Sequence, residues 1–167
     1  FYLAHREGPD DHLEDLHQRF WRSQRHDQWF AATESRTRLE YIPRLGTHVE
    51  DVGAVIQQMG IQRVVEFGAG NGDWLAYLAE AWPNLQQYIG VDLAEEQMTL
   101  NRTRHPQLAL EASDLQSWLS RQGTPNTIYV TNCGVCEYLS EATLRTVLAE
   151  AKAQSSGSLW FFVEPIA

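Results

Sequence analysis

Glu66, Gly68, Gly70 and Gly72 alternate with Phe67, Ala69 and Asn71, and the stretch ends on Asp73. An acid followed by glycines at every second position predicts a turn that a ligand can approach closely. It also brings the first N–H groups of a following helix to the same crevice. A dinucleotide turn has the spacing G-x-G-x-x-G. Counted from Gly68, its third glycine is due where Asp73 stands, which argues against a nicotinamide nucleotide and the hydride transfer it would support. Two more acids follow. Asp92 closes Ile89-Gly90-Val91-Asp92, 20 residues after Gly72, where a carboxylate can accept from both hydroxyls of a ribose. Asp114 lies in Ser113-Asp114-Leu115. A plainer reading stands beside these: both aspartates can cap helices that begin after strands, and Glu66 can be an edge-of-sheet acid held by backbone donors.

Cysteine and histidine offer less. Cys133 and Cys136 have C-x-x-C spacing, but there is no second pair to complete a zinc site. A redox pair would be expected after a first strand, not a fourth. His5, His12, His17, His26, His48 and His105 contain no i, i+4 pair, so no metal site is expected and solvated or capping roles are. His26 is retained as a substrate-side candidate.

The elements that must position these groups are legible. Leu13, Leu16, Phe20 and Trp21 predict an amphipathic helix from about Asp11, and a second helical stretch runs from Trp29 to Leu39. Pro43 marks a break that keeps Ile42 out of a helix. Thr47 and Glu50 have capping-box spacing, so the next helix is expected to start there. Its face carries Val49, Val52, Val55, Ile56 and Met59, and Gly60 ends it. Strands then alternate with helices. Strands are predicted at Arg63–Phe67, Tyr88–Asp92, Leu108–Ala112, Thr127–Thr131 and Leu159–Val163. The helices are Asp73–Trp82, Glu95–Arg104, one from Leu115 to Leu119, and Glu141–Lys152. Short apolar strands alternating with helices imply a parallel sheet covered on both faces, an α/β doubly wound fold.

Glu66-x-Gly68-x-Gly70-x-Gly72, the acid after strand two and the acid after strand three, in that order, resemble the class I S-adenosylmethionine-dependent methyltransferases. The resemblance covers residues 47–167. It implies a Rossmann-like cofactor domain over that range and an N-terminal helical arm or lid over residues 1–46. It implies S-adenosyl-L-methionine as cofactor, held by Glu66, Gly68, Ala69, Gly70 and Gly72 after strand one. Asp92 and Leu93 would follow at the ribose, and Asp114 and Leu115 at the adenine. Cys133 and Gly134, in Asn132-Cys133-Gly134-Val135-Cys136-Glu137-Tyr138-Leu139, would meet the methionine part. The family sheet has seven strands and this chain ends at Ala167, so the resemblance implies that the last two strands are lacking. The fifth strand, Leu159-Trp160-Phe161-Phe162-Val163, would then be an apolar edge covered by the missing residues, by an adjoining domain or by a second copy.

The implied activity is in-line methyl transfer to a small-molecule acceptor. No catalytic residue can be named, because a base is required only when the acceptor must lose a proton. The alternative is a methyltransferase-like module that binds the cofactor or a partner protein without catalysis. Trp21, Trp29, Phe30 and Tyr41 are many aromatics for so polar an arm. They either pack it onto the core or form a lid that shapes an acceptor pocket, with Trp29, Tyr41 and His26 as candidate substrate contacts.

Composition agrees with this and removes other classes. The chain has 167 residues, 43% apolar and 21% charged, enough for one domain with a core rather than a disordered segment. A net charge of -9 and a pI near 5.0 argue against nucleic acid as partner. No apolar run approaches the ~18 residues of a membrane helix, and no secretory signal is visible. Two cysteines make no disulfide scaffold, so a cytoplasmic setting is expected.

Overall fold

The computed structural model describes residues 10–22, 42–122, 125–132, 134–154 and 157–163. The elements run α1 (Asp10–Arg22), α2 (Ile42–Met59), β1 (Arg63–Phe67), α3 (Asp73–Ala81), β2 (Gln87–Asp92), α4 (Glu95–Arg104) and β3 (Ala109–Ala112). They continue with α5 (Leu115–Gln122), β4 (Thr127–Asn132), a 3₁₀ turn (Cys136–Tyr138), α6 (Glu141–Gln154) and β5 (Leu159–Val163). The second helical stretch expected over Trp29 to Leu39 lies outside the described residues.

All five strands are parallel, in the order β3-β2-β1-β4-β5. The chain winds outward from β1 to β3, then returns to start again at β4. The order therefore reverses between β1 and β4, and loops at the carboxyl ends of these strands diverge to leave a crevice. β5 is an outer strand, as expected, and Phe162 on it is 43% exposed.

Alternating side chains divide the core. Val64, Ile128 and Val130 face a cluster with Ile56 of α2, Leu75 and Leu78 of α3 and Met98 of α4. Val65, Phe67, Val91 and Tyr129 face the other layer, with Leu115, Trp118 and Leu119 of α5 and Val147 of α6. Phe67 meets Trp118 edge-on at 5.7 Å and stacks on Tyr129 at 6.0 Å. Fully burying side chains of this size contributes roughly 1.5–3 kcal/mol each, which holds the crevice walls rigid.

The start of α2 differs from the expectation. Ile42 and Pro43 are helical, and Thr47 and Glu50 lie exposed inside the helix rather than capping it. In a first turn proline gives up only an N–H that has no intrahelical partner, and its fixed φ already suits a helix. At the other end Gly60 adopts φ 66°, and the Ile61 N–H donates to the Ile56 carbonyl at 3.0 Å, closing the helix as expected. Val55 and Met59 are each 40% exposed, so the buried stripe is narrower than the spacing suggests.

Candidate functional site

β1 delivers Glu66 and the glycine turn to the crevice. Gly68 (φ 71°) and Gly70 (φ 52°) take conformations that side chains disfavour, and so does Gly72 (φ 79°) at the start of α3. At Gly68 space decides as well: a Cβ there would lie 2.4 Å from Cγ2 of Val135. The loop is drawn onto β2, because the Gly68 and Ala69 N–H groups both donate to the Val91 carbonyl (2.8 and 3.1 Å).

Asp92, at the end of β2, anchors two segments. One carboxylate oxygen accepts from the Gly70 N–H at 2.8 Å and the other from the Ala94 N–H at 2.9 Å. The same aspartate thus holds the glycine turn and the entry to α4. Asp114 caps α5, its Oδ1 accepting the Ser117 N–H at 2.7 Å, while Oδ2 stands 3.9 Å from Arg22 of α1. The plain capping reading therefore holds at Asp114, on a residue that also faces the crevice.

Glu66 is 1% exposed, with Oε2 lacking a hydrogen-bond partner. Burial, followed by the nearby charge of Asp92, pushes its carboxyl well above the usual carboxylate range. The Leu75 N–H opposes this by bonding to the carboxyl, and Asp73 adds to it. Asp73, where a dinucleotide turn would carry glycine, is buried beside Arg104 (3.5 Å) and His105 (3.4 Å). The first N–H of α3, which a pyrophosphate would need, is already engaged, donating from Asp73 to Asn71 Oδ1 at 3.2 Å.

Glu66, Gly68, Ala69, Gly70, Asp92, Leu93, Asp114, Leu115 and Gly134 line one cavity of about 180 Å³. Gly72 is not on its lining; its α-carbon faces the His105 ring, 3.1 Å from where a Cβ would stand. Cys133, Trp29, Tyr41 and His26 lie outside the described residues. Cys136 is half-buried, and no group of three or more His, Cys, Asp and Glu side chains that could hold a metal ion occurs among the described residues.

Three contributors were not evident in the sequence. Asn101 of α4 is 1% exposed and donates to the Gly70 carbonyl at 2.6 Å, so the Gly70 peptide is gripped at both ends. Gln97 fixes the Asn101 amide from the adjacent turn at 2.7 Å, and this i, i+4 pair was the only local hint. Asn101→Leu is expected to cost about 1–3 kcal/mol in urea unfolding, since a buried carbonyl loses its donor. Wild-type stability in that variant would show that the bond does not secure the loop. The second contributor is His17, expected to be solvated or capping but 6% exposed and on the cavity lining. Leu16 is instead 40% exposed, because α1 turns a polar-aromatic face inward. The third is Glu14, whose Oε2 accepts the Ser140 N–H (3.0 Å) and the Thr143 hydroxyl (2.9 Å), fastening α1 to the start of α6. His105, expected to be solvated or capping, stands at the C-cap of α4, with its half-buried ring 3.4 Å from Asp73.

The profile of the methyltransferase-domain family matches residues 64–154, from β1 to the end of α6. The chain belongs to that family. The chain is 34% identical over 67 residues to trans-aconitate 2-methyltransferase of Variovorax paradoxus (strain S110), covering 40% of this chain and 26% of that protein. In structure it resembles the plantazolicin methyltransferase BpumL, solved with a desmethylPZN analog and SAH (TM-score 0.66, 16% identity, 93% of this chain and 60% of that one). It also resembles CalS10, an amino pentose methyltransferase from Micromonospora echinaspora solved with SAM (TM-score 0.52, 23% identity, 66% and 46%). The chain thus spans 60% of the length of the first structural neighbour and about a quarter of the curated relative. At these identities the structural likeness establishes the Rossmann-like doubly wound fold of the domain. No helix among the described residues is long and apolar enough to cross a membrane.

Proposed function

We propose that this chain binds S-adenosyl-L-methionine in the crevice at the ends of β1, β2 and β3 and transfers its methyl group to a small-molecule acceptor. The observation that carries the reading is Glu66: a buried carboxyl oxygen without a partner, on the lining of a cavity ringed by acids. Such a group fits a ligand bearing positive charge and fits poorly with a pyrophosphate. When bound, S-adenosylmethionine supplies a methyl group already activated by a positive sulfur.

In this reading Glu66, the glycine turn, Cys133 and Gly134 hold the methionine end. Asp92 takes the ribose hydroxyls, and Leu93, Asp114 and Leu115 border the adenine. The rest of the chain's work is alignment and exclusion of water, which can supply much of the barrier lowering for an in-line displacement. The family match supports this, as do the SAM and SAH with which the neighbouring structures were solved. The reading also divides the chain into an arm over residues 1–46 and a cofactor domain over 47–167, although α2 runs across that boundary. It places the chain in the cytoplasm, supported by its having only two cysteines. It takes β5 to be covered by a second copy or a further domain, supported by the exposure of Phe162.

Calorimetric titration tests the cofactor. S-Adenosylmethionine and S-adenosylhomocysteine are expected to bind and NAD not to; binding of NAD alone would overturn the assignment. Formation of S-adenosylhomocysteine on incubation with a metabolite pool separates transfer from binding without catalysis.

A further inference from the structure

Two side chains on the cavity lining each hold a buried polar atom without a hydrogen-bond partner among the described residues. One is Glu66, at Oε2, and the other is Trp74, at its indole nitrogen, which can only donate. Trp74 is 2% exposed and stands in the first turn of α3, directly after Asp73. The backbone of Leu75, the next residue, reaches the Glu66 carboxyl, so the acid and the indole belong to neighbouring parts of one wall. Since each lacks a partner, they do not satisfy one another. A buried indole N–H ordinarily finds an acceptor, and one left open on a cavity lining marks a place for an acceptor on the ligand.

The glycine turn does not supply this donor in Trp74's place. The N–H groups of Gly68 and Ala69 are spent on the Val91 carbonyl (2.8 and 3.1 Å), and that of Gly70 on Asp92 (2.8 Å). Gly72 donates to the Ala69 carbonyl (2.8 Å) and Asp73 to Asn71 (3.2 Å). The indole N–H is open, and the ring that carries it is fixed. Trp74 packs in the core cluster with Val64, Leu78 and Ile128, and its ring centroid lies 5.3 Å from that of Tyr77. A donor held in place before the ligand arrives loses little freedom on binding.

An acid that suits positive charge and a donor that suits negative charge, both open on one lining, fit a zwitterion. The methionine end of S-adenosylmethionine is one, with an ammonium and a carboxylate on the same carbon. We propose that Trp74 binds the cofactor, its indole N–H donating to the carboxylate of the methionine end while Glu66 faces positive charge. The proposal rests on the cofactor reading and adds to it a donor for the ligand's one negative group.

S-Adenosylmethionine and its decarboxylated form share the sulfonium, the amine and the adenosine, and differ only in the carboxylate. Both are titrated calorimetrically into the 167-residue chain and into Trp74→Phe, which keeps an aromatic ring and removes the N–H. Trp74→Phe is expected to weaken S-adenosylmethionine about tenfold, as loss of a hydrogen bond to a charged group does, and to leave the decarboxylated form within about twofold of wild type. Equal weakening of the two ligands would mean that Trp74 acts by packing, and no weakening of either that its N–H is not used; each overturns the proposal. Should the variant bind neither ligand, the Trp74 indole N–H resonance of the wild-type chain decides. It must move downfield with S-adenosylmethionine and much less with the decarboxylated form, and the same response to both overturns the proposal. If the wild-type chain binds neither ligand, the cofactor reading itself fails and this proposal with it; binding of both without a carboxylate-specific loss overturns this proposal alone.

Discussion

Asp92→Ala is expected to weaken S-adenosylhomocysteine binding about a hundredfold in calorimetric titration. The carboxylate holds the Gly70 N–H at 2.8 Å and the Ala94 N–H at 2.9 Å. Hydrogen bonds to a charged group contribute about 1.5–3 kcal/mol each, and losing two releases both the glycine turn and the entry to α4. A loss of about 3 kcal/mol corresponds to a little more than a hundredfold in affinity. Asp92→Asn should fall between alanine and wild type, because one amide oxygen can still accept a single N–H while the charge is gone. Wild-type affinity in the alanine variant would mean that the crevice does not depend on this acid, and the cofactor placement would fail with it.

Glu66→Gln is expected to stabilise the ligand-free chain near neutral pH while weakening S-adenosylmethionine more than S-adenosylhomocysteine. The sign follows from Glu66's surroundings. Burial and the charges of Asp92 and Asp73 raise its folded value well above the ordinary 4.5, against the pull of the Leu75 N–H. A raised group contributes stability that is fully present below the unfolded value and is lost as pH climbs toward the folded one. Between these limits wild-type stability falls relative to Glu66→Gln by up to about 1.4 kcal/mol per pH unit. Urea unfolding at a series of pH values from 4.5 upward reads the difference directly. Parallel profiles for the two proteins would show that Glu66 ionises as freely in the folded chain as in the unfolded one. The ligand comparison is separate: only S-adenosylmethionine brings the positive sulfur that an ionised Glu66 would face, so glutamine should narrow the gap between the two ligands.

The central framework was legible because its signals are local. A β-branched run ending in glycines gave β1, and a helix stopped before a proline gave the span of α4. Each depends on neighbours within a turn or two. The order Glu66, glycine turn, Asp92, Asp114 was informative for a similar reason. In a parallel sheet with right-handed crossovers, consecutive strand ends must lie on one edge, so acids at those ends meet without further information. The start of α2 was misjudged even though its residues are local. Thr47 and Glu50 fit a capping box, but Pro43 is equally suited to a first turn, and the two signals compete.

The amino-acid sequence alone determined the alternation of strand and helix, the conformations demanded of the glycine turn, and the acids at three successive strand ends. The tertiary structure decided what distant segments do to one another: Asn101 gripping Gly70 across 31 positions, Glu14 fastening α1 to α6 across 126, and His17 rather than Leu16 turned inward. Periodicity reports which side of an element is apolar and says nothing of which polar group lies opposite. That partner is chosen only when strand order brings the two together, and so the solitary oxygen of Glu66 emerges only from the folded chain.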